Sequence, residues 1–168
     1  MALEEDNSEH YSTLASYYSM INNSDLSIQY YERGLTYCQN SNDKALFYSN
    51  LADEYINVKK YEKAEEYLNK SININSKDAY VWFLYGNLKQ IQDKNLEAFE
   101  YFEKSIKERK MDNFIQGQLF YSYSLCCLNL EKCDLSKEYI IKALDIEPNN
   151  YTYQFLYNQI KNCNAKAN

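Results

Sequence analysis

The chain has few residues that interrupt helices: its 168 residues include three glycines and one proline. Glycine in a helix costs conformational entropy and proline lacks the backbone N–H, so their scarcity favours an all-helical chain with short turns. Long apolar runs are absent as well, since no stretch of about 18 apolar residues occurs. The first ten residues, MALEEDNSEH, are acidic. A signal peptide would instead begin with basic residues and continue with an apolar stretch. We expect a cytoplasmic protein with no membrane partner.

Basic clusters and metal-ligand patterns are also missing. The formal net charge is −6, and no large cluster of lysine and arginine occurs, so a nucleic-acid partner is not expected. The single histidine and the five cysteines show no CxxC spacing, so no metal site is expected. We expect buried thiols in a reducing compartment, with a redox role for some of them as the alternative. These cysteines are Cys38, Cys126, Cys127, Cys133 and Cys163.

Patterns of catalytic residues are absent too. The sequence contains no glycine-rich phosphate loop, no Ser/His/Asp arrangement and no cluster of histidine with carboxylates. Most acidic residues, such as Glu62 and Glu97, fall on helix faces that we expect to point to water. We therefore predict that the protein is not an enzyme and has no cofactor, which leaves binding as its function.

Helical periodicity is what the chain does contain, and it is most regular from Ala45 to Asp78. Phe47, Leu51 and Tyr55 mark the apolar stripe of a first helix, and a second stripe follows after two lysines. Two short amphipathic helices cannot bury their apolar faces alone, so neighbouring helices must complete the core.

The same pattern recurs four times, starting at Ser8, Ala45, Ala79 and Gly117. Each copy has an aromatic residue at its fourth position: Tyr11, Tyr48, Trp82 and Phe120. Small residues recur at the eighth position and in the second helix, where they permit close helix approach: Ala15, Ala52, Gly86, Ser124, then Ser27, Ala64, Ala98, Ser136, then Gly34, Ser71, Ser105, Ala143. We therefore expect Gly34 and Gly86 to be packing glycines.

This register resembles the tetratricopeptide repeat, a helix-turn-helix unit of about 34 residues. The resemblance implies an all-α fold, a right-handed α-solenoid of four repeats, at 8–44, 45–78, 79–116 and 117–150. A polar lead over 1–7 precedes the repeats. A capping helix over 151–163 and a disordered tail over 164–168 follow them.

In this family a peptide or a partner's helix lies in a concave groove lined by the first helix of each repeat. In this sequence the groove positions are occupied by polar residues in the N-terminal half of the groove and by aromatic or apolar residues in its C-terminal half. The expected peptide-binding residues are Ser49, Asp53, Asn57, Tyr80, Phe83, Asn87, Tyr121, Leu125, Asn129 and Phe155. These suit apolar anchors of an extended or helical segment. Some of the aromatic side chains could instead pack on the adjacent repeat.

Members that clamp the acidic C-terminus of a chaperone carry lysine, asparagine and arginine at fixed positions. Here the first repeat has Ser12 and Ser16, the third has Tyr80 and Leu84, and only Asn50 fits. Binding to an acidic chaperone tail is therefore not expected.

The resemblance implies a scaffold or adaptor for protein–protein interaction, with a protein or peptide as partner. One alternative is a regulatory sensor of a short signalling peptide or another small ligand. Another is a self-associating module, a homo-oligomer formed through an uncapped first repeat. In that repeat no preceding helix covers Tyr11, Tyr17 and Tyr18.

Overall fold

The computed structural model describes residues 7–108, 111–161 and 163. Within them the chain forms nine helices and no strand, which confirms the predicted all-α fold class. The helices are α1 (Ser8–Met20), α2 (Ser24–Leu35), α3 (Ser41–Asn57), α4 (Tyr61–Ile74), α5 (Ala79–Ile91), α6 (Asn95–Glu108), α7 (Asn113–Asn129), α8 (Cys133–Ile146) and α9 (Tyr151–Ile160). Apart from Asn7, the predicted lead and the predicted disordered tail lie outside the described residues. None of the described helices has the length and hydrophobicity needed to cross a membrane.

Side-chain caps begin several of these helices, because the first backbone N–H groups of a helix have no partner within it. The capping oxygens belong to Asn7, Asn23, Asn40, Asp112 and Asn150. Asn40 makes α3 start at Ser41, four residues before the predicted start of the second repeat at Ala45. Its Oδ1 accepts from the Asp43 N–H at 2.8 Å, and its Nδ2 donates to Asp43 Oδ2 at 2.8 Å.

The turn inside each helix pair contains one residue with left-handed backbone. These residues are Asn22, Lys59, Asp93 and Glu131, with φ between 56° and 59°. From one to the next the chain advances 37, 34 and 38 residues, the same intervals that separate the predicted repeat starts. The four turns therefore share one conformation, although the side chains differ. Lysine and glutamate tolerate it less well than asparagine and aspartate.

The helices form two compact units that divide between Leu84 and Tyr85, within α5. In the first unit α2 packs against α1 and α3, and α3 packs against α4. Gly34 lies where a Cβ atom would come 2.5 Å from Phe47 Cε1 and 2.8 Å from Tyr11 Cβ. This contact confirms that Gly34 is a packing glycine.

In the second unit α7 packs against α6, α8 and α9. A Cβ atom on Gly86 would overlap the ring of Phe102, so this glycine also has the predicted packing role. Ser124 and Ser136 are fully buried and each hydroxyl donates to the other residue's carbonyl, at 2.7 and 2.8 Å. All twelve predicted small positions are buried.

The end of the second unit has its own apolar cluster, formed by α8 and α9. We call it the C-terminal cluster: Ile140, Ala143, Tyr153, Leu156 and Ile160. A disulfide joins Cys133, the first residue of α8, to Cys163, which follows α9. The expectation of a free thiol is wrong for this pair, because α9 packs on α8 and returns the chain to the start of that helix.

The other three cysteines are buried thiols, as predicted. Burial raises the pKa of Cys126 to about 11 and that of Cys127 to about 12. Both thiols are therefore protonated at neutral pH, and the thiolate needed for redox chemistry is scarce.

Candidate functional site

The predicted site residues of α3 differ in how far solvent reaches them. Ser49 is 1% exposed, and its hydroxyl donates to Leu46 O at 2.9 Å within the same helix. Asn57, the last residue of α3, is exposed. Ser49 thus offers no side-chain surface to a ligand, whereas Asn57 does.

Asp53 and Tyr80 are joined directly, between α3 and the start of α5. Tyr80 Oη donates to Asp53 Oδ2 at 2.8 Å. Burial raises the pKa of Asp53 to about 6; the Tyr80 hydrogen bond opposes the shift and the charge of Glu54 adds to it. Burial, followed by the charge of Asp53, also holds the pKa of Tyr80 well above its usual value.

Phe83, also on α5, is 4% exposed and lies 6.3 Å from the Tyr80 ring, centroid to centroid. The sequence placed Ser49 and Phe83 on a ligand-facing surface, and the structure corrects this for both side chains. Each falls on the part of its helix that packs inside the protein. The apolar stripe of a buried helix is broad, so positions at its margin are also covered.

The predicted residues of the second unit are more accessible. Tyr121 is half-buried and stacks on Tyr153 with ring centroids 5.3 Å apart. Leu125, also half-buried, packs against the C-terminal cluster. Phe155 points outward from α9 and is 66% exposed. Because α7 contacts α9, these three side chains belong to one pair of packed helices.

Two predicted asparagines complete the set in the second unit. Asn87 is half-buried on α5 and Asn129 is exposed at the end of α7. Asn129 Nδ2 donates to Asn95 Oδ1 at 3.3 Å, which leaves its carbonyl oxygen to accept other hydrogen bonds.

Glu54 is a polar residue of α3 that sequence reasoning missed. It is 2% exposed, and its Oε1 accepts from Ser27 Oγ at 3.0 Å. Its Oε2 is buried and has no hydrogen-bond partner. The helical period contained the signal, because Glu54 follows Phe47 by seven residues and Leu51 by three, and both are buried.

Each unit also has a surface cavity, and no predicted site residue lines either of them. One cavity in the second unit has a volume of about 420 Å³, and Phe120, Tyr139 and Lys142 are among its lining residues. The cavity in the first unit, about 350 Å³, lies between α1 and α3. Both volumes are within the range of small-molecule sites, and the sensor alternative stays a prediction. No group of three metal-ligating side chains occurs within the residues that the structure describes.

The exposed face of α1 differs from the expected one. Tyr11 is buried, because it stacks on Tyr37 at 5.3 Å and Arg33 lies 5.1 Å from its ring centroid. Tyr18 is half-buried and stacks on Tyr30 at 5.2 Å. Of the three tyrosines predicted to be uncovered, only Tyr17 is mostly exposed.

Comparison with known proteins agrees with this fold. No curated protein matches the sequence. PilF from Pseudomonas aeruginosa is similar in structure, with a TM-score of 0.75 and 20% identity over 91% of this chain and 67% of that chain. A chain of the APC/C hetero-tetramer Cut9-Hcn1 has a TM-score of 0.83 and 13% identity. The alignment covers 92% of this chain and 29% of that chain, so this chain spans less than a third of that relative.

A third similar structure is the Sgt2 TPR domain from Aspergillus fumigatus. Its TM-score is 0.62 at 18% identity, over 76% of this chain and 81% of that chain. At these identities the likeness shows the fold alone. The tetratricopeptide repeat model itself matches residues 45–78 and 117–150, one segment in each unit. The two segments at the second and fourth predicted repeats therefore match the tetratricopeptide repeat.

Proposed function

We propose that the chain is an interaction module that binds an extended or helical segment of a partner protein. Tetratricopeptide repeats are generally protein–protein interaction modules, and proteins of this fold are typically not enzymes. The proposal goes further, because it assigns peptide binding to particular side chains of the second unit.

One observation carries the proposal: Phe155 is 66% exposed, on a helix that packs against the one bearing Tyr121 and Leu125. An apolar anchor of a partner would cover Phe155 and the accessible parts of the other two. Burying a side chain of this size contributes about 1.5–3 kcal/mol. The exposed carbonyl of Asn129 can accept a backbone N–H of the same segment.

Affinity capture followed by mass spectrometry tests the proposal, with Phe155→Ala compared with Phe114→Ala. Phe114 is 60% exposed at the start of α7 and was not predicted to bind. Both variants should keep the helicity and melting temperature of the wild type, because neither side chain is in the core. We expect Phe155→Ala to lose partners that Phe114→Ala retains. Identical partner sets for the wild type and Phe155→Ala would show that this surface does not bind them.

Tyr80 and Phe83 are unsuitable for this test, although the sequence placed them in the site. Phe83 is buried and Tyr80 donates to Asp53. Replacing either by alanine would reduce stability, and lost binding could not then be assigned to a lost contact.

Self-association is the second candidate, favoured by exposed apolar side chains at the end of α1. Tyr17 and Ile21 are more than half exposed and Met20 is 82% exposed. Their spacing of three and four residues places them on one helix face. Sedimentation velocity over a 100-fold range of concentration tests this candidate, with Met20→Ser as the variant. A single monomeric species at every concentration would exclude it.

The predicted cytoplasmic location has a separate test in Cys133 and Cys163. Cytosolic thiols are kept reduced, whereas disulfides persist in oxidising compartments. We infer that trapping free thiols at the moment of cell lysis reports the compartment. A cytoplasmic chain should have both cysteines modified by the trapping reagent, and protection of both would point to an oxidising compartment.

A further inference from the structure

Two adjacent carboxylates of α3, Asp53 and Glu54, lie among hydroxyl groups from three other helices of the first unit. Tyr80 Oη, on α5, donates to Asp53 Oδ2 at 2.8 Å, and Ser27 Oγ, on α2, donates to Glu54 Oε1 at 3.0 Å. Tyr31 Oη, also on α2, is hydrogen-bonded to Ser16 Oγ of α1 at 3.1 Å. We call these six residues the carboxylate cluster.

The groups of the carboxylate cluster are close enough to influence one another. Burial, and then the charges of Glu54 and Asp53, raise the pKa of Tyr31, and the Ser16 hydrogen bond opposes the shift. The charges of both carboxylates also raise the pKa of Tyr80, with burial as the largest cause. For Asp53, the only charged neighbour among the causes of its pKa shift is Glu54. Within the described residues, no lysine or arginine is among the groups that shift the pKa values of Asp53, Tyr31 and Tyr80.

Glu54 Oε2 is the unusual atom of the cluster. It is buried and accepts no hydrogen bond, and the whole residue is 2% exposed. Buried carboxylates are almost always paired or hydrogen-bonded, because an uncompensated one loses its hydration and gains nothing in return. The neighbouring Asp53 and Tyr80 are half-buried and Ser16 is exposed, so solvent reaches one side of the cluster.

Comparison of α3 with α7 shows that the fold itself does not require a carboxylate here. Both helices have 17 residues, and each position of α7 lies 72 residues after its counterpart in α3. The counterpart of Glu54 is Cys126, a fully buried thiol that donates to Asn95 O at 3.2 Å. A small side chain fills the same position in the second unit and leaves no oxygen unpartnered.

We propose that the carboxylate cluster binds the cationic side chain of an arginine or lysine in the partner's segment, between Glu54 Oε2 and Asp53. This inference rests on the proposed function for the peptide nature of the ligand, and it adds the chemistry of one recognised residue. Arginine suits the cluster better than lysine. Its guanidinium group is planar, offers five N–H donors and is more weakly hydrated than an ammonium group.

The test uses four acetylated and amidated pentapeptides that differ only at the central residue. The sequences are Gly-Ser-X-Ser-Gly, with arginine, lysine, citrulline or glutamate as X. Binding is followed by ¹³C NMR of the carboxyl carbons of Asp53 and Glu54 in the full chain. Citrulline matches the shape of arginine without its charge, so it separates charge from size.

We expect the arginine peptide to shift both resonances and to lower the pKa of Asp53, and the lysine peptide to act more weakly. The citrulline and glutamate peptides should leave both resonances and the pKa of Asp53 unchanged. Glu54→Gln should weaken arginine binding about tenfold or more, since it removes the charge of a buried pair. Its amide oxygen can still accept from Ser27. Asp53→Asn, which keeps an acceptor for Tyr80, serves as a second variant, and Glu62→Gln on the exposed face of α4 is the control.

Equal responses to arginine and citrulline would overturn the inference, as would an unchanged affinity in Glu54→Gln. Failure of this inference is distinguishable from failure of the proposed function. Capture of partners can depend on Phe155 while the arginine peptide produces no response, and then only the cation site is lost. A response to arginine without capture of any partner would retain the cation site alone.

Discussion

Helices α3 and α7 have the same length and place opposite chemistry at equivalent positions. Where α3 has Asp53 and Glu54, α7 has Leu125 and Cys126. In the first unit these positions contain carboxylates that accept hydrogen bonds from hydroxyl groups. In the second unit Leu125 packs on the C-terminal cluster and Cys126 is a fully buried thiol. The small residues and turns common to both units therefore determine the helix packing that the units share. At the other positions the two units can differ in the ligand groups that they recognise.

The largest expected difference between the units is the Cys133–Cys163 disulfide, which only the second unit has within the described residues. The bond closes a loop with a sequence separation of 30. In the chain-entropy model, Cys163→Ser should lower the free energy of unfolding by about 3–4 kcal/mol. Hydrogen exchange should become faster in α8 and α9 and stay unchanged in α1 and α2. Cys38→Ser is the control, and equal exchange in Cys163→Ser and wild type would contradict a stabilising bond.

Replacing the packing glycine should reduce stability by a similar amount in each unit. Gly34→Ala and Gly86→Ala each place a methyl group against an aromatic ring, of Phe47 and Phe102 respectively. Overpacking of this kind costs about 1–3 kcal/mol, measurable by urea denaturation. Gly117→Ala is the matched control, because its nearest atom would be Glu147 Oε1 at 3.2 Å, the end of a flexible side chain. A milder loss in Gly34→Ala and Gly86→Ala than in Gly117→Ala would contradict the packing account.

Replacing Glu54 by methionine makes the first unit resemble the second at this position. Exchanging a buried, incompletely paired carboxylate for an apolar side chain of similar size should raise the free energy of unfolding by about 1–2 kcal/mol. The Ser27 hydroxyl loses its partner, which reduces the gain. Cys126→Ser, the change in the opposite direction, should lower stability. Denaturation at neutral pH checks both, and a destabilised Glu54→Met would mean that the carboxylate supports the fold.

Asp53 should make the stability of the first unit depend on pH. Burial raises its folded pKa to about 6, above its unfolded value of about 3.9. The folded state therefore holds the proton more tightly, and stability falls as pH rises from about 4 to about 6, by about 2 kcal/mol. Asp53→Asn removes this contribution, so the stability difference between variant and wild type should change over that range. A constant difference from pH 4 to 7 would show that Asp53 does not titrate in this way.

The smallest expected effect concerns the left-handed turn residues. Lys59, in the first unit, and Glu131, in the second, have positive φ, and their long side chains favour this backbone region less than the short polar side chain of asparagine does. Lys59→Gly and Glu131→Gly should each raise the melting temperature slightly, for a gain of up to about 1 kcal/mol. Asn22→Gly should give a smaller increase in melting temperature. Equal gains at all three turns would show that the side chain does not matter there.

The fold could be predicted because its determinants are local and periodic. Small residues such as Ala52, Ala64 and Gly86 recur at fixed intervals, and their burial follows from helix geometry. The start of α3 could not be placed as well, since it depends on the side-chain cap of Asn40. The Cys133–Cys163 bond links residues far apart in sequence, and no periodic signal connects them.

The candidate site was predicted less well, for a physical reason. Family positions identify which face of a helix a residue occupies, but not how deeply its neighbours cover it. Ser49 and Phe83 were assigned to the surface and are buried, whereas Glu54 was passed over because a carboxylate is expected to face water. Phe155, whose exposure depends on little beyond its own short helix, agrees with the expected accessibility.

Photo-crosslinking from position 155 tests the central claim most directly. Benzoylphenylalanine placed at residue 155, and in a matched protein at residue 114, samples two exposed aromatic positions of the second unit. Partner proteins should be crosslinked from residue 155 at one defined segment, and not from residue 114. Equal crosslinking from both positions, or none from residue 155, would contradict the account.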